Sequence, residues 1–476
     1  MKTLFIIALI TALTGGAVTT NVMGAALITV TSASYMGGEN HDTAQGVSED
    51  GDCAYIIGST VSSNFPTTGP YQSSITRWTN DDVFVTKTGS TGSTLVYSTY
   101  LGGTNRDQGF AIVADTDGTA YITGRTNSDN FPVVNAVQSS RAGGYDAFAT
   151  KLSSSGSTLS FSTYHGGSAD ETGYAADLDP VLKRMFIAGT TESWDFPTSN
   201  CLQSTIGGER DAFVSKYVAG GSALAYATFY GGSGEDIAFG ISVQTDVIAC
   251  VVGSTDSTDL TLTTPYQSTI GGGFDGFVLI AHEDGTSIIS STYLGGAGTD
   301  GCRSVSVDAM NDAYIAGYTA SDDFPTIGPY QSTRAGSFDG FVTKFTTATD
   351  LGYSTYLGGS GSDILRGVDV DTSYNVYVAG RSASSDFPTT DPHQSSLGGS
   401  SDAILTVLNS AGDTVSYSTY LGGTYWDEAM AIKVDSDGDA YISGKTQSAD
   451  FPTTASYQDA LGNSVKFWDA FYAIFE

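Results

Sequence analysis

Residues 97–103 read Tyr-Ser-Thr-Tyr-Leu-Gly-Gly, and this stretch decides the fold because the chain repeats it with small changes. The corresponding Gly-Gly pairs begin at residues 37, 102, 166, 231, 295, 358 and 422. They are 63 to 65 residues apart, so the chain consists of seven units of one kind. A repeat of fixed period determines the architecture before any single segment is interpreted.

The second unit shows the parts of the repeat. After Gly102-Gly103 comes an alternating segment that ends at Asp115, and a tight turn then leads to a strand at residues 120–124. A long polar segment with Phe131-Pro132 precedes a strand at 146–151, and a Ser- and Gly-rich turn leads to the next Tyr-Ser-Thr-Tyr strand. Each unit thus contains four short strands joined by turns. Seven such units predict an all-β, seven-bladed β-propeller with four-stranded blades.

The recurring phrases Tyr-Ser-Thr-Tyr-Leu-Gly-Gly, Asp-Phe-Pro and Asp-Ala-Phe-Val-x-Lys resemble the SBBP family, the β-propeller repeat of exported bacterial and archaeal surface proteins. The resemblance covers about residues 27–476, which are predicted to form a single domain with a period of about 64 residues. It implies the fold and an extracellular setting, but it carries no established activity and no catalytic residues. The fourth unit departs most, with Asp259-Leu260-Thr261 in place of Asp-Phe-Pro and Ile280 in place of Lys.

The two ends of the chain predict how the ring closes. Residues 28–35 match the fourth strand of a unit, whereas residues 469–475 match the third strand. The last unit therefore lacks its own outer strand, and the N-terminal strand can pair with it and remove an exposed edge. By analogy with other propellers, the first strand of each unit is taken as the innermost. The Gly-Gly crossings then share one side of the ring with the long Phe-Pro loops, and we call this side the long-loop face.

Charge excludes several classes of function. The 476 residues carry a net charge of −32, which repels phosphate backbones and anionic lipids, so nucleic acid is not expected as a partner. Residues 1–24 are predicted to be a secretory signal peptide, because Lys2 precedes an apolar run and small residues follow it. An extracellular or cell-surface protein is therefore expected, with no membrane insertion after the signal is cleaved. Whether the signal is cleaved or kept as an anchor stays open.

The four cysteines, at positions 53, 201, 250 and 302, permit two disulfides in an exported protein. Their spacing does not match that of a metal site.

One acidic residue recurs five residues after the start of each Gly-Gly pair. The column comprises Asp42, Asp107, Glu171, Asp236, Asp300, Asp363 and Asp427. Seven acids on the inner crossings could ring the channel mouth and bind Ca²⁺, the only cofactor that the sequence suggests. The alternative is structural, because a carboxylate that accepts backbone N–H groups in the crossing serves every blade equally.

Two further polar columns are complete in all seven units. An Asp precedes each third strand, and a Gln lies in the long loop before it, as in Asp82 and Gln72. A long irregular segment needs such side chains to satisfy its backbone groups, so both columns are interpreted as structural.

Residues that break the symmetry are the candidates for specific binding. Tyr and Trp rings beside amide, imidazole and guanidinium groups suit a sugar, because the sugar's apolar face stacks while its hydroxyls form hydrogen bonds. The predicted ligand-binding residues are Trp426, Tyr425, His41, Asn40, Arg106, Asn105, Trp78 and Trp468. The leading hypothesis is a noncatalytic recognition or structural module that presents its long-loop face to a glycan or an extracellular protein.

A glycan-processing enzyme, either a hydrolase or a lyase, is the alternative. No nucleophile elbow or metal-binding His pair is present, and no catalytic residue is assigned. A pair of carboxylates at the channel mouth could come from Asp170, Glu171 and Glu235. A third possibility is a purely structural coat or adhesion component without a small ligand.

Overall fold

A computed structural model describes residues 28–77, 79–244, 248–282, 284–346, 350–462 and 467–476. Within these ranges the chain forms 28 strands, which pair into seven antiparallel sheets of four. The predicted all-β, seven-bladed propeller is thus confirmed. The described part of the chain contains no helix that could span a membrane. The predicted signal peptide lies outside the described residues.

We number the blades along the chain from the first complete sheet. The strands are β1 (Val30–Met36) in blade 7; β2 (Asp42–Glu49), β3 (Ala54–Thr60), β4 (Asp82–Thr88) and β5 (Leu95–Leu101) in blade 1; β6 (Asp107–Ala114), β7 (Ala120–Thr126), β8 (Asp146–Leu152) and β9 (Leu159–His165) in blade 2; β10 (Glu171–Leu178), β11 (Met185–Thr191), β12 (Asp211–Tyr217) and β13 (Leu224–Tyr230) in blade 3; β14 (Asp236–Val243), β15 (Ala249–Thr255), β16 (Asp275–Ala281) and β17 (Ile288–Leu294) in blade 4; β18 (Asp300–Val307), β19 (Ala313–Thr319), β20 (Asp339–Thr346) and β21 (Asp350–Leu357) in blade 5; β22 (Asp363–Val370), β23 (Val376–Ser382), β24 (Asp402–Leu408) and β25 (Val415–Leu421) in blade 6; and β26 (Asp427–Val434), β27 (Ala440–Thr446) and β28 (Asp469–Phe475) in blade 7.

The first strand of each unit is the innermost one, as expected, because these strands contact one another around the axis. The core is divided into layers between neighbouring blades. In one layer, Ile57 and Val85 of blade 1 pack with Ile112 and Ile122 of blade 2. Strand β3, the second strand of blade 1, is buried at every residue, which is why it reads Ala-Tyr-Ile-Ile-Gly-Ser-Thr without a charged residue.

Ring closure by the N-terminal strand is confirmed. Strand β1 pairs antiparallel with β28, in a register that places Tyr35 opposite Phe471. The Tyr35 hydroxyl donates a hydrogen bond to the Ser448 carbonyl (2.7 Å) and accepts one from the Phe451 N–H (3.0 Å). These bonds connect β1 to the long loop of blade 7. Strand β1 thus contacts blade 7 both through its pairing with β28 and through this loop.

The Gln and Asp columns organise each long loop. In blade 1, Gln72 Nε2 donates to Asp82 Oδ2 (3.0 Å), and Gln72 Oε1 accepts the Gly102 N–H (3.0 Å). The same amide therefore joins the loop, the third strand and the crossing to the next blade. The corresponding bonds recur, for example from Gln394 to Asp402 (2.7 Å) in blade 6.

All four cysteines are free thiols, so the two disulfides that the sequence permits are not formed. Cys250 and Cys302 are buried in one apolar cluster between blades 4 and 5. Their role in the structure is therefore that of small apolar side chains.

Candidate functional site

The recurrent acids are each buried and hydrogen-bonded within their own crossing. Asp42 is fully buried, and its Oδ2 accepts hydrogen bonds from the Gly38 N–H (2.7 Å) and the Ser62 hydroxyl (2.8 Å). Each of the other six acids accepts the equivalent Gly N–H within its own blade, at 2.7–2.8 Å. Among the described residues, no group of three His, Cys, Asp or Glu side chains could hold a metal ion. The structure therefore supports the capping role, and Ca²⁺ binding by these acids stays a prediction.

A second buried carboxylate lies close to each of these acids. A side chain on Gly102 would contact both Asp82 and Asp107, which shows that the two acids approach each other across this glycine. Burial raises the pKa of Asp82 to about 7 and that of Asp107 to about 6, and the charge of Asp107 adds to the shift of Asp82. Asp82 and Asp107 thus form a buried pair of acids that ionise only near neutral pH.

The predicted aromatic platform is assembled only in part. Trp426 and Trp468 lie edge to face, with ring centroids 6.4 Å apart. However, the Arg381 guanidinium covers the Trp426 ring at 4.9 Å, and the Lys445 ammonium lies 4.9 Å from the centroid of Trp468. Both indoles therefore already stack against protein cations.

The neighbouring predicted residues lie on the rim of the long-loop face. The His41 ring packs against the Phe467 ring (centroids 4.7 Å apart), and Nδ1 of His41 accepts the backbone N–H of Trp468 (3.3 Å). Burial lowers the pKa of His41. Tyr425 is 48% exposed.

The remaining predicted residues hold the loops of blades 1 and 2. The Asn40 N–H donates to the Ser62 hydroxyl (2.9 Å), and the Asn105 side chain donates to the Asn127 carbonyl (3.0 Å). Arg106 Nε lies 3.9 Å from a carboxylate oxygen of the neighbouring loop. Trp78 lies outside the described residues.

The acids suggested for glycoside cleavage have other partners. Glu171 is buried in its crossing, where its carboxylate accepts the Gly167 N–H (2.8 Å). Glu235 forms an ion pair with Arg210, and Asp170 accepts the Tyr145 N–H (2.9 Å). The structure does not bring them together as a pair of free carboxylates.

A different set of residues converges on the axis. Every innermost strand has a β-bulge four residues into the strand, so that in β6 Gly109 pairs with Gly124 and Ala111 with Thr123, and Phe110 is left over. A bulge changes the direction of the extra side chain, which here lies towards the channel. The seven bulge residues form what we call the bulge ring: Gln45, Phe110, Tyr174, Phe239, Arg303, Arg366 and Met430.

The bulge ring surrounds a cavity of about 300 Å³ on the axis. Aliphatic side chains two residues further along the inner strands, such as Val47, Ile112 and Ile241, line the same cavity and are nearly buried. Because the innermost strand of each blade begins on the long-loop face, the bulge ring lies nearer to that face than the aliphatic side chains do. The cavity is therefore a recess in the long-loop face, and the aliphatic side chains separate it from a second axial cavity of about 160 Å³.

Three consecutive blades supply an aromatic wall. The ring centroids of Phe110 and Tyr174 are 5.3 Å apart, and those of Tyr174 and Phe239 are also 5.3 Å apart. All three side chains are only partly buried, although they lie on the innermost strands. They form an arc of tilted rings that an apolar ligand face can contact.

The next two blades supply arginines. The Arg303 guanidinium lies between two rings, 4.0 Å from the centroid of Phe239 and 5.1 Å from that of Tyr318. Its Nε is buried and finds no acceptor among the described residues. Burial lowers the pKa of Arg303, and the positive charge of Arg366 acts in the same direction.

Arg366 belongs to a network centred on Glu428, whose side chain is only 3% exposed. Both Nε and Nη2 of Arg366 lie 2.9 Å from Glu428 Oε1. Arg381 Nε lies 3.6 Å from the carboxylate, and Lys445 Nζ lies 3.3 Å from it. Burial opposes ionisation of Glu428, but the three cations outweigh it and hold its pKa below the usual value.

Sequence reasoning missed the bulge ring, although a signal for it exists. Small residues flank the bulge position in most units, as in Gly109 and Ala111, or Ala238 and Gly240, while the residue between them changes from unit to unit. Small neighbours leave room for a large side chain to turn towards the axis. The position lies three residues after the recurrent acid in every unit.

Comparison with known proteins supports the repeat. The family model of the SBBP beta-propeller repeat matches residues 96–132, 291–325 and 352–388, so the chain carries SBBP repeats, as the resemblance of its sequence indicated. No curated protein matches the sequence.

Among solved structures, the chain is similar to the WD40 beta propeller domain of Doa1, with 9% identity and a TM-score of 0.47 over 94% of this chain and 96% of that chain. It is also similar to Sqt1 from Chaetomium thermophilum in two structures. These give 8% identity with a TM-score of 0.43 over 88% of this chain and 82% of that chain, and 10% identity with a TM-score of 0.44 over 87% and 83%.

Proposed function

We propose that this propeller is a noncatalytic recognition module that binds a glycan in the axial recess of its long-loop face. The bulge ring carries this proposal. The backbone places seven equivalent positions around one cavity, yet the chain fills them with Gln, Phe, Tyr, Phe, Arg, Arg and Met. A position needed only for folding would carry the same residue in each blade, as the Gln and Asp columns do.

The size of the recess favours a small ring-shaped group over a broad protein interface. A volume of about 300 Å³ is at the lower end of ligand pockets. A standard protein interface buries about 800 Å² on each partner, which a recess of this size does not supply. The aromatic wall and the polar side chains opposite it match the apolar face and the hydroxyls of one sugar residue.

A glycan array tests the proposal with the labelled full chain and two variants. Tyr174→Ala removes the middle ring of the aromatic wall and should weaken binding at least tenfold, which corresponds to about 1.4 kcal/mol. Trp194→Ala is the matched control, because Trp194 is in the same blade and 76% exposed but does not line the recess. Binding to no glycan, together with capture of a protein partner that Tyr174→Ala leaves unchanged, would contradict the proposal.

We also propose that the protein works outside the cell or at its surface. The apolar N-terminal segment, residues 1–24, supports this location. Cell fractionation and N-terminal sequencing of the mature protein test it. A mature chain that starts at Met1 in the cytoplasmic fraction would contradict it.

A further inference from the structure

The most unusual group at the recess is Arg303. In a protein with a net charge of −32, no carboxylate of the described residues forms an ion pair with this guanidinium. Its neighbours are instead two aromatic rings, of which Tyr318 also accepts a hydrogen bond through its hydroxyl, and a second arginine. A partly buried cation whose Nε is buried without an acceptor is costly, so a negative group bound beside Arg303 would offset part of that cost.

The charges around Arg303 also favour an anionic ligand. Arg366, Arg381 and Lys445 share the single acid Glu428. Together with Arg303 they amount to four cations around one shared carboxylate, and the buried Asp363 is a further acid that acts on Arg381. This concentration of positive charge lies in the wall of the recess and in the strands behind it, where Arg303 and Arg366 line the cavity directly.

The aromatic wall narrows the choice of anion. Phe239 belongs both to the wall and to the stack that holds Arg303, so a ligand on the wall has the guanidinium within its reach. The guanidinium fork matches the planar geometry of a carboxylate, which it binds through two parallel N–H groups. A hexuronic acid presents both features together, since its carboxylate extends from a ring with an apolar face.

We infer that the recess takes a uronic-acid residue of an acidic glycan, with its carboxylate on Arg303 and its ring against Phe110, Tyr174 and Phe239. This inference rests on the proposed function and adds the class of sugar. Because the anion is bound in part by charge, raising the salt concentration should weaken binding of the acidic sugar and leave binding of a neutral sugar unchanged.

Titration calorimetry of the full chain with digalacturonate, neutral galactobiose and sodium sulfate tests the inference. Digalacturonate should bind at least tenfold more tightly than galactobiose, and 500 mM NaCl should reduce that preference. Sulfate alone should bind more weakly than digalacturonate, because it lacks the ring. Equal affinity for sulfate and digalacturonate would overturn the assignment of a sugar.

Two variants locate the anion contact. Arg303→Met keeps the volume but removes the charge, and should lower the affinity for digalacturonate at least tenfold while leaving galactobiose unchanged. Arg334→Met is the control, since Arg334 lies in the long loop of the same blade and pairs with exposed Asp322 outside the recess. Melting temperatures of both variants verify the fold, and the salt dependence of the unmodified chain gives a test that needs no variant.

The outcomes separate this inference from the proposed function. If galactobiose binds as well as digalacturonate, or if Arg303→Met retains the preference, the acidic sugar is refuted while glycan recognition stands. If neither disaccharide binds and the glycan array is also blank, both are refuted.

Discussion

The closure of the ring predicts the cost of one substitution in detail. Tyr35, in the N-terminal strand β1, is fully buried and bonded to the long loop of blade 7. Tyr100 holds the same position in blade 1, where its hydroxyl donates to the Ser62 carbonyl (2.7 Å). If β1 is a full member of blade 7, Tyr35→Ala and Tyr100→Ala should cost the same.

The magnitude follows from the buried ring. Truncating a buried aromatic side chain to Ala costs about 3–5 kcal/mol. Unfolding entropy of about 2.1 cal/mol/K per residue gives about 1 kcal/mol/K for a chain of 476 residues, so each variant should melt about 3–5 °C lower. Deleting residues 27–36 also removes the backbone pairing with β28 and should lower the melting temperature further.

Differential scanning calorimetry measures these shifts, with Tyr71→Ala as a surface control because Tyr71 is 37% exposed. The control should melt within about 1 °C of the unmodified protein. A Tyr35→Ala protein that behaves like the control, while Tyr100→Ala melts several degrees lower, would refute closure by β1.

Three further predictions concern the scaffold. Gly156 has φ +70°, and a Cβ atom there would lie 2.3 Å from the Tyr97 ring, whereas Gly220 has φ +85° and no atom within 4 Å of that position. Gly156→Ala should therefore lower the melting temperature more than Gly220→Ala does. Equal shifts in calorimetry would show that backbone strain alone matters. Asp42, Asp82, Asp107 and Glu171 have pKa values raised to about 6–7, so the folded state binds protons more tightly than the unfolded state. Their contribution to stability should be complete below about pH 4 and should fall as the pH rises from about 4 to about 7, by up to about 1.4 kcal/mol per pH unit for each acid. Urea unfolding at several pH values measures this slope, which Asp42→Asn should reduce, and a stability that rises with pH would contradict the reasoning. Because all four cysteines are free, dithiothreitol should leave the melting temperature unchanged, whereas a drop of several degrees would reveal a disulfide.

Several features of the fold could be predicted because their signals are local and repeated seven times. The Gly-Gly period shows the number of blades, and the mismatch between the two chain ends shows the closure. The Gln and Asp columns could be assigned to the loops because an irregular segment needs polar side chains wherever it runs. None of these inferences requires knowing where a side chain points.

The candidate site could not be predicted in the same way. Asp107 and Phe110 are three residues apart on one strand, yet the acid turns into the crossing and the phenyl ring turns to the axis. That difference arises from the bulge, which depends on how β6 pairs with β7. The sequence therefore suggested the acids as the residues at the mouth, whereas the structure places Phe110 and its equivalents there.

The sequence by itself determined the architecture: seven blades, four strands in each, closure by the N-terminal strand and the polar columns that hold the loops. Only the tertiary structure decided which residues meet at the axis. Phe239 and Arg303 are 64 positions apart in the chain but stack 4.0 Å from each other, because two neighbouring blades turn their bulges into one recess. Repetition reveals what every blade needs, whereas a binding site is built from the positions at which the blades differ, and their proximity is a property of the closed ring.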